Sequence, residues 1–521
     1  MIRPIALALL ATVMAAPASA QKLTLAAKAE LLSLDPHFHN GPQGHQIYGH
    51  MFDRLARYNS LGAVEAGLAE SWTYETDKTL VFKLRPNARF HDGTPVTAAD
   101  VIASIERIPG INNGGGPFLP YVRTIVKTEA RDPLTVVMHT RDPSPNLPSS
   151  MALVSILAAS QKDVASDAFN TGPVIGSGPF KVVRYNKGQS LELVRNDQYW
   201  GPKPDWAEVS IRFIPNDASR LAALLSGDVD FIGNVGTQDA EDLKTNAKVS
   251  VFQAPSFRVV HLSMDQKRDV TNHLKDVNGQ PLTENPLRKL KVRQALAATI
   301  DRQVILDRVM GGFGAVTAQL GSPETFAYDP EIKVTPPDIA RAKTLLTEAG
   351  YPNGFQLTVH TPSDFIPAGP QIAQVIAQGF ARAGLKVTVQ AVPSSVFFVS
   401  TRKPEGSEWS VWLTSWGNTG GDTSAALQQL LHTADRAKQA GAQNVTGISL
   451  AQADALIDQA LVQVDPEKRR PLQQQAMRLL MADAAEVPLF AQAAIFAGRK
   501  GLTYVANPQD YLLAYEVKAA K

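Results

Sequence analysis

A strand, a helix and a second strand follow one another between residues 355 and 392, and this pattern constrains the fold most. Residues 355–360 and 385–392 have the composition of strands, while residues 370–383 carry apolar side chains on one helical face. Gly384 is a typical helix stop. Because short connections through a helix favour a right-handed crossover between parallel strands, the segment predicts an α/β domain.

Two loops of this segment follow the carboxyl ends of predicted strands. Residues 361–369 leave the first strand, and residues 415–423 leave a third strand expected at 409–414, ahead of a helix at 424–431. Ligands of open α/β sheets bind at the carboxyl ends of the strands. Both loops are therefore expected to face a binding site.

Three tryptophans lie close together near the second loop. In a strand, Trp412 and Trp416 share a face and Trp409 points the opposite way. Core packing is the expectation for Trp409 and Trp412. Trp416 is expected beyond the strand end in a glycine-rich loop, where an exposed ring is costly unless a ligand covers it. Ligand stacking is the prediction for Trp416, and core packing is the alternative.

Four histidines crowd the N-terminal region, at positions 37, 39, 45 and 50. Their spacing fits no zinc pattern, and no cysteine or paired carboxylate lies nearby. The Gly-Ser-Gly run at 176–178 lacks the spacing of a nucleophile elbow. The sequence therefore indicates no metal site, no cofactor and no catalytic residue.

Residues 67–100 combine a strand, a tight turn and a helix start. Residues 80–84 alternate in polarity, residues 92–93 form an Asp-Gly turn, and Thr97 with Asp100 predicts a capping box. This segment closely resembles one shared by the extracytoplasmic solute-binding proteins of family 5, which serve peptide, nickel and opine ABC importers. Five further segments resemble that family in the same order: SLDP at 33–36, IGSGPFKVVRYNKGQSLELVRNDQYWG at 175–201, LLSGDVD at 224–230, VRQALAATIDR at 292–302 and AGYPNGF at 349–355.

The resemblance implies an α/β, two-lobed periplasmic binding protein type II fold with an extra inserted domain, the cluster C arrangement. The implied hinge lies near residues 259–264 and 487–491. The implied parts are a signal peptide at 1–20, lobe I from 21–45, 170–260 and 486–521, an inserted domain at 46–169, and lobe II at 261–485.

The resemblance also implies the function. A member would capture a small polar solute, such as a peptide, modified peptide, opine or sugar, and deliver it to the permease subunits of an ABC importer. A monomer without enzymatic activity is expected. A hydrolase on the same architecture, with Ser415 or Ser363 beside His39, is one alternative, and turnover of the bound compound would identify it. A sensor or chaperone role is another, and would require a non-transporter partner.

Site residues follow from the same resemblance. The family's cleft is lined by the region of Phe38, His39 and Asn40, and by the loop that here contains Ser415, Trp416 and Asn418. In peptide-binding members an aspartate three residues after this tryptophan pairs with the ligand's amino group.

The aspartate expected three residues after this tryptophan is replaced here by Thr419. The acid six residues after it is kept as Asp422, a predicted site residue that either contacts the ligand or orients the loop. Dipeptide binders also place an arginine where Ser363 stands, two residues before Phe365. Burying a zwitterion without charged partners is costly. The sequence therefore predicts weak binding of plain dipeptides.

The N-terminus has the pattern of a secretory signal. Arg3 precedes an apolar run at 5–15, and the Ala18-Ser19-Ala20 triplet fits a cleavage site. The chain has no cysteine, which excludes a cysteine-linked lipid anchor and favours a free periplasmic protein. The formal net charge of +2 argues against nucleic acid as a partner.

Cleavage after Ala20 is the first testable prediction. Intact-mass measurement of protein from the periplasmic fraction should find a chain that begins at Gln21 or its cyclised form. Mature protein that retains Met1 would contradict both the signal assignment and the expected location.

Overall fold

The computed structural model describes residues 22–111, 118–403, 406–418 and 420–520. The signal segment expected at 1–20 lies outside these residues. The strands are β1 (Lys22–Ala27), β2 (Ala56–Tyr58), β3 (Val64–Ala66), β4 (Ala69–Thr76), β5 (Thr79–Leu84), β6 (Ile125–Asp132), β7 (Thr135–Thr140), β8 (Phe180–Asn186), β9 (Ser190–Arg195), β10 (Glu208–Phe213), β11 (Phe231–Ile232), β12 (Val249–Met264), β13 (Leu274–Lys275), β14 (Ala315–Val316), β15 (Gln356–Pro362), β16 (Lys386–Val392), β17 (Val411–Gly417), β18 (Val487–Arg499), β19 (Leu502–Thr503) and β20 (Lys518–Ala519).

Helices cover the faces of the sheets. The α-helices are α1 (Pro42–Met51), α2 (Ala98–Arg107), α3 (Leu119–Val122), α4 (Leu147–Met151), α5 (Asp217–Ser226), α6 (Thr237–Leu243), α7 (Leu290–Ala298), α8 (Arg302–Val304), α9 (Ile339–Glu348), α10 (Gly369–Arg382), α11 (Ser394–Thr401), α12 (Ser424–Ala426), α13 (Ala451–Val462) and α14 (Pro466–Ala482). Short 3-10 turns lie at Ile108–Gly110, Ala159–Gln161, Ala168–Asn170, Pro286–Arg288 and Ala514–Glu516, and π-helical turns at Ile305–Val309 and Leu427–Leu431. No helix in the described ranges is long and apolar enough to cross a membrane.

One long sheet runs through most of the molecule. Its order is β13-β15-β17-β12-β18-β11-β1-β10-β9-β8, with β14 on β18 and β16 on β15. A separate sheet has the order β4-β5-β7-β6. Strand pairing groups these elements without fixing domain limits, so the boundaries expected from the sequence stay predictions.

The three largest hydrophobic cores of the described chain lie around these sheets. The core around β1, β9, β10 and α1 defines what we call lobe I, and the core around β15, β17 and α10 defines lobe II. A third core is built from residues between Leu55 and Ala158 around the four-stranded sheet, and we call this part the inserted unit. Strands β12 and β18 contribute residues to the cores of both lobes.

The predicted strand-helix-strand segment is confirmed. Strands β15 and β16 pair in parallel on either side of α10, and β17 also runs parallel to β15. The capping box of Thr97 and Asp100 at the start of α2 is present as well. These features depend on local residue patterns, which explains why the sequence identifies them.

The predicted end of the third strand is wrong. Strand β17 continues to Gly417, three residues beyond the expected end at residue 414. Antiparallel pairing of Arg258–Met264 in β12 with Gly417–Val411 holds these residues extended. Trp416 therefore lies within a strand and not in a loop.

The continuity of the two lobes depends on β12 and β18. Their pairing runs from Val249 to Pro255, stops, and resumes at Val259, so three residues of β12 are opposite only Gln492. This β-bulge at residues 256–258 lies beside the segment 259–264, in which the hinge was expected. A bulge bends a strand and redirects its side chains.

Phe257, at the centre of the bulge, joins three parts of the molecule. Its N–H donates to the Pro508 carbonyl at 3.1 Å, and its carbonyl accepts from the Asn418 N–H at 3.0 Å. Its ring is 4% exposed and lies against Gly62 and Gly421, which both have positive φ. A Cβ on Gly62 would meet the ring at 2.2 Å, so the close approach requires glycine there.

Gly62→Ala should therefore destabilise the protein more than a glycine substitution in open space. Gly93 is the matched control, because it has a similar φ of 90° and a Cβ there meets nothing within 4 Å. We expect Gly93→Ala to cost about 1 kcal/mol of unfolding free energy for left-handed backbone, and Gly62→Ala about 1–3 kcal/mol more for overpacking. Urea denaturation measures both, and equal losses would contradict the role given to the Phe257 contact.

Candidate functional site

Arg258 is the residue that the bulge presents to the space between the lobes. It is the one charged residue among the sixteen of β12, apart from a histidine. Arg258 lines two adjoining cavities together with Gly417. We call them the lobe II cavity, of about 440 Å³, and the hinge cavity, of about 220 Å³.

The guanidinium of Arg258 is exposed and makes few hydrogen bonds. Its one hydrogen bond in the described chain goes from Nη1 to the Ser415 hydroxyl at 3.3 Å. Its Cζ lies 5.9 Å from the centre of the Phe365 ring. Partial desolvation by the cavity walls lowers the pKa of Arg258, but an arginine remains charged in such a site. The cavity therefore contains a cation with free donors.

The lobe II cavity is lined by aromatic rings on one side. Trp412 and Trp416 both line it, and Phe365 packs edge-on against Phe398 with ring centres 4.9 Å apart. The indole N–H of Trp416 donates to Asn418 Oδ1 at 3.1 Å. Trp416 also packs against a separate hydrophobic cluster that includes Val259 and Leu427, so it combines structural and cavity-lining contacts.

The hinge cavity is lined by amides and one acid from lobe I. Gln43, Gln46 and Asn234 line it together with Gln509 and Asp510. Two polar atoms here, Gln509 Nε2 and Asp510 Oδ1, are buried without a hydrogen-bond partner in the described chain. Buried polar atoms normally have partners, so a ligand could satisfy these.

Asp510 is the anionic counterpart of Arg258 in the hinge cavity. Its Oδ2 accepts from Asn234 Nδ2 at 2.6 Å. Burial raises the pKa of Asp510 to about 7, against the opposing effects of that hydrogen bond and of the Arg258 charge. The cavity thus has a permanent positive charge and an acid whose charge varies near neutral pH.

Four of the predicted site residues line these two cavities. Ser415, Trp416 and Phe365 line the lobe II cavity, and Asn418 lines the hinge cavity. Asn418 is fully buried and donates to the Leu320 carbonyl at 2.9 Å. Thr419 lies outside the described residues, so its part in the site stays a prediction.

The other predicted site residues lie elsewhere. Asp422 is held by Arg469 at 3.3 Å and by Gln473 Nε2 at 3.2 Å, and it accepts from the Ser424 N–H at 2.7 Å. These contacts organise the turn after β17. Ser363 lies at the exposed end of β15, where its N–H donates to the Val392 carbonyl, and lines neither cavity.

The N-terminal residues expected to face Trp416 are half-buried in lobe I. Phe38, His39 and Asn40 line neither cavity, and Asn40 Oδ1 instead accepts from Tyr121 and contacts the His45 ring. Among the lobe I residues, Gln43 and Gln46 of α1 line the hinge cavity instead. Ligand contact by residues 38–40 stays a prediction that these cavities do not support.

The sequence did not identify Arg258 or Asp510. Ser363 and Thr419, the two positions considered for charged anchors, are uncharged. A cation and an acid come instead from Arg258 on β12 and Asp510 on the C-terminal segment. The one available signal was an arginine within an otherwise uncharged strand.

The crowded histidines have structural partners. His37 Nε2 contacts the Ser155 carbonyl at 2.8 Å, and His50 Nε2 accepts from the Ala514 N–H at 2.9 Å. Burial lowers the pKa of both imidazoles to about 4. Within the described ranges no cluster of three potential ligands could hold a metal ion.

Comparison with known proteins gives one family. The model described as "Bacterial extracellular solute-binding proteins, family 5 Middle" matches residues 63–438. The glutathione-binding protein GsiB of Escherichia coli K12 is 27% identical over 512 residues, which cover 96% of this chain and 94% of that protein.

Solved structures show the type II periplasmic binding protein fold. HbpA2 from Haemophilus parasuis superposes with a TM-score of 0.81 at 23% identity, over 96% of this chain and all of that one. A nickel ABC transporter protein from Bacillus halodurans gives 0.79 at 24% identity, over 95% and 99% of the two chains. At such identities these likenesses establish the fold alone.

Two tryptophans with different surroundings give a stability prediction. Trp409 is buried and stacks on His360 with ring centres 3.9 Å apart, whereas Trp416 is half-exposed to the lobe II cavity. Trp409→Ala should cost about 3–5 kcal/mol of unfolding free energy, and Trp416→Ala about 1–2 kcal/mol for its smaller buried area. Chemical denaturation of both variants would test this, and equal losses would mean that Trp416 is a core residue.

Proposed function

Because the chain belongs to the bacterial extracellular solute-binding proteins of family 5, we propose that it captures a small polar solute bearing a carboxylate. Proteins of this family bind small ligands and work with ABC importers. The chain is thus an extracytoplasmic substrate-binding protein of an ABC importer. We propose the chemical class of its ligand, the site that binds the ligand and the way in which the ligand is captured.

The observation that carries the proposal is the free guanidinium of Arg258. An arginine fork binds a carboxylate through two parallel hydrogen bonds, and such charge-assisted bonds are about twice as strong as neutral ones. Arg258 uses one of its five donors in the described chain. A ligand carboxylate would use the remaining donors, while the rings of Trp416 and Phe365 would cover its apolar part.

The rest of the ligand would extend into the hinge cavity. There the free Oδ1 of Asp510 and the amide of Gln509 can bind N–H donors and carbonyl oxygens respectively. This polarity suits a peptide-like or amide-bearing solute, such as a modified peptide or an opine. The relative GsiB is named for glutathione, so glutathione is the first compound to test.

Capture would work by closure around the hinge. A solute held between Arg258 on β12 and Asp510 on the C-terminal segment contacts both sides of the bulge. It would therefore stabilise the closed arrangement, which the permease subunits in the inner membrane would recognise. Affinity of about micromolar, near −8 kcal/mol, is enough for such a carrier.

We propose a monomer that acts in the periplasm after removal of its first twenty residues, without a lipid anchor and without turnover of its ligand. The geometry offers little support for a hydrolase. Ser415 accepts from Arg258, and His39 does not line the same cavity. A nucleophile needs a base within hydrogen-bond reach.

The test begins with the solute that co-purifies with periplasmic protein, identified by mass spectrometry, and is expected to carry at least one carboxylate. Glutathione and its dimethyl ester form a matched pair of probes for calorimetry. Loss of the charge-assisted bonds to Arg258 should weaken the ester by roughly 10- to 100-fold. Plain dipeptides should be titrated alongside, because Arg258 and Asp510 could supply the two charges that Ser363 and Thr419 lack.

Substitution of cavity-lining residues should also weaken binding. Arg258→Gln should weaken the parent solute by roughly 10- to 100-fold, and Trp416→Ala by about 30-fold or more. Arg382→Gln is the control, because Arg382 is exposed at the end of α10 and lines neither cavity. A neutral co-purified solute whose affinity is unchanged by Arg258→Gln would refute the proposed ligand class.

A further inference from the structure

A third cavity lies on another side of lobe II. It has a volume of about 430 Å³ and is bounded by α7, α14, the start of β18 and the segment 332–341. We call it the back cavity. It shares no lining residue with the hinge cavity, and it shares Glu486 alone with the lobe II cavity.

The lining of the back cavity is strongly basic. Arg302, Lys333, Arg341 and Arg478 all contribute to it, and Glu486 is the one acidic residue among the lining residues. Glu486 forms no ion pair with these four residues within 4.0 Å in the described chain. Its Oε2 accepts from Ser263 at 2.7 Å and contacts His261 at 3.0 Å, while its Oε1 is buried without a hydrogen-bond partner there.

Arg302 is the most unusual of these groups. It is only 8% exposed, and its single hydrogen bond in the described chain runs from Nε to the Pro488 carbonyl at 2.7 Å. Its two terminal nitrogens make no hydrogen bond in the described chain and are not fully buried. They therefore face the cavity. Burial, with no opposing charge, lowers the pKa of Arg302 to about 10.

The other buried arginines of the described chain all have a carboxylate partner. Isolated buried charges are costly, which is why such pairing is the rule. The four pairs are Arg107 with Asp35 at 2.8 Å, Arg220 with Asp217 at 2.9 Å, Arg293 with Asp483 at 2.6 Å and Arg469 with Asp422 at 3.3 Å. Arg302 makes no such pair, so the anion that would compensate it is not supplied by the described chain.

Two further basic residues lie at the rim of the back cavity. Lys333 and Arg341 are exposed and have no ion pair within 4.0 Å in the described ranges. Arg478 is already paired with Asp329. Two free cations at the rim and one buried cation at the wall suit a compact ligand with more than one negative charge.

We propose that the back cavity is a second binding site of this protein, for a compact oxyanion with two or more negative charges. Arg302 would bind two of its oxygens through the planar fork. Lys333 and Arg341 would add charge from the rim. Inorganic phosphate and small polycarboxylates share this chemistry, and the site is independent of the solute cleft proposed above.

The test is calorimetric titration of the full mature chain with inorganic phosphate, at constant ionic strength set with sodium chloride, and separately with citrate as a polycarboxylate. Saturable binding to the parent protein is expected for at least one of them. Arg302→Gln should weaken it roughly 10- to 100-fold, since it removes the charge-assisted bonds. The glutamine amide can still donate to the Pro488 carbonyl, and melting of the variant checks that it folds.

Two further variants distinguish the possible outcomes. Lys333→Gln combined with Arg341→Gln changes only exposed residues and should weaken the anion several-fold, even if Arg302→Gln does not fold. Loss of anion binding in Arg258→Gln, with Arg302→Gln unaffected, would place the anion in the hinge cavity and overturn the proposal. Absence of saturable binding of either anion to the parent protein would overturn it as well.

Discussion

The pairing of β12 with β18 is the interaction on which the rest of the structure depends. Each strand adds residues to the sheet of both lobes, and the pairing is interrupted over three residues of β12. The interruption places Phe257 against the inserted unit and the turn after β17, and it places Arg258 in the cleft. One irregularity in one strand pair thus provides the junction of three parts and the cation of the candidate site.

Charge placement gives a second theme. The buried arginines of the described chain are paired with carboxylates, and these pairs stabilise the chain's own turns and helix ends. Arg258 and Arg302 differ, because each opens onto a cavity and neither has a carboxylate within ion-pair distance among the described residues. An unpaired guanidinium on a cavity wall is a physical reason to expect a bound anion, and the two positions are separate in the fold.

Local patterns made part of the fold predictable. The crossover of β15, α10 and β16 follows from apolar periodicity, and the capping box of α2 from two residues three apart. The predicted end of β17 was wrong because pairing with β12, about 150 residues earlier in the chain, extends the strand. Ser415 and Trp416 line a cavity from within β17, not from a loop after it, and their contact with a ligand stays a prediction.

The sequence failed to identify Arg258 and Asp510 for one common reason. Arg258 owes its position to the register between two strands more than 200 residues apart, and Asp510 enters the cleft from the C-terminal segment. Of the two roles expected for Asp422, the contact with Arg469 of α14 favours orientation of the turn after β17 over ligand contact. Such long-range pairings leave no periodic signal in a single sequence.

Lobe closure upon solute binding at Arg258 is the central claim, and a distance measurement between the lobes tests it most directly. The chain has no cysteine, so spin labels can be attached at Val183→Cys on β8 and Val277→Cys beyond β13, both exposed at opposite ends of the long sheet. Pulsed electron resonance should show a shifted inter-label distance when the co-purifying solute is added, and no shift at the same concentration in the Arg258→Gln background. An unchanged distance in the parent protein at saturating solute, or the same shift at that concentration without Arg258, would contradict the account.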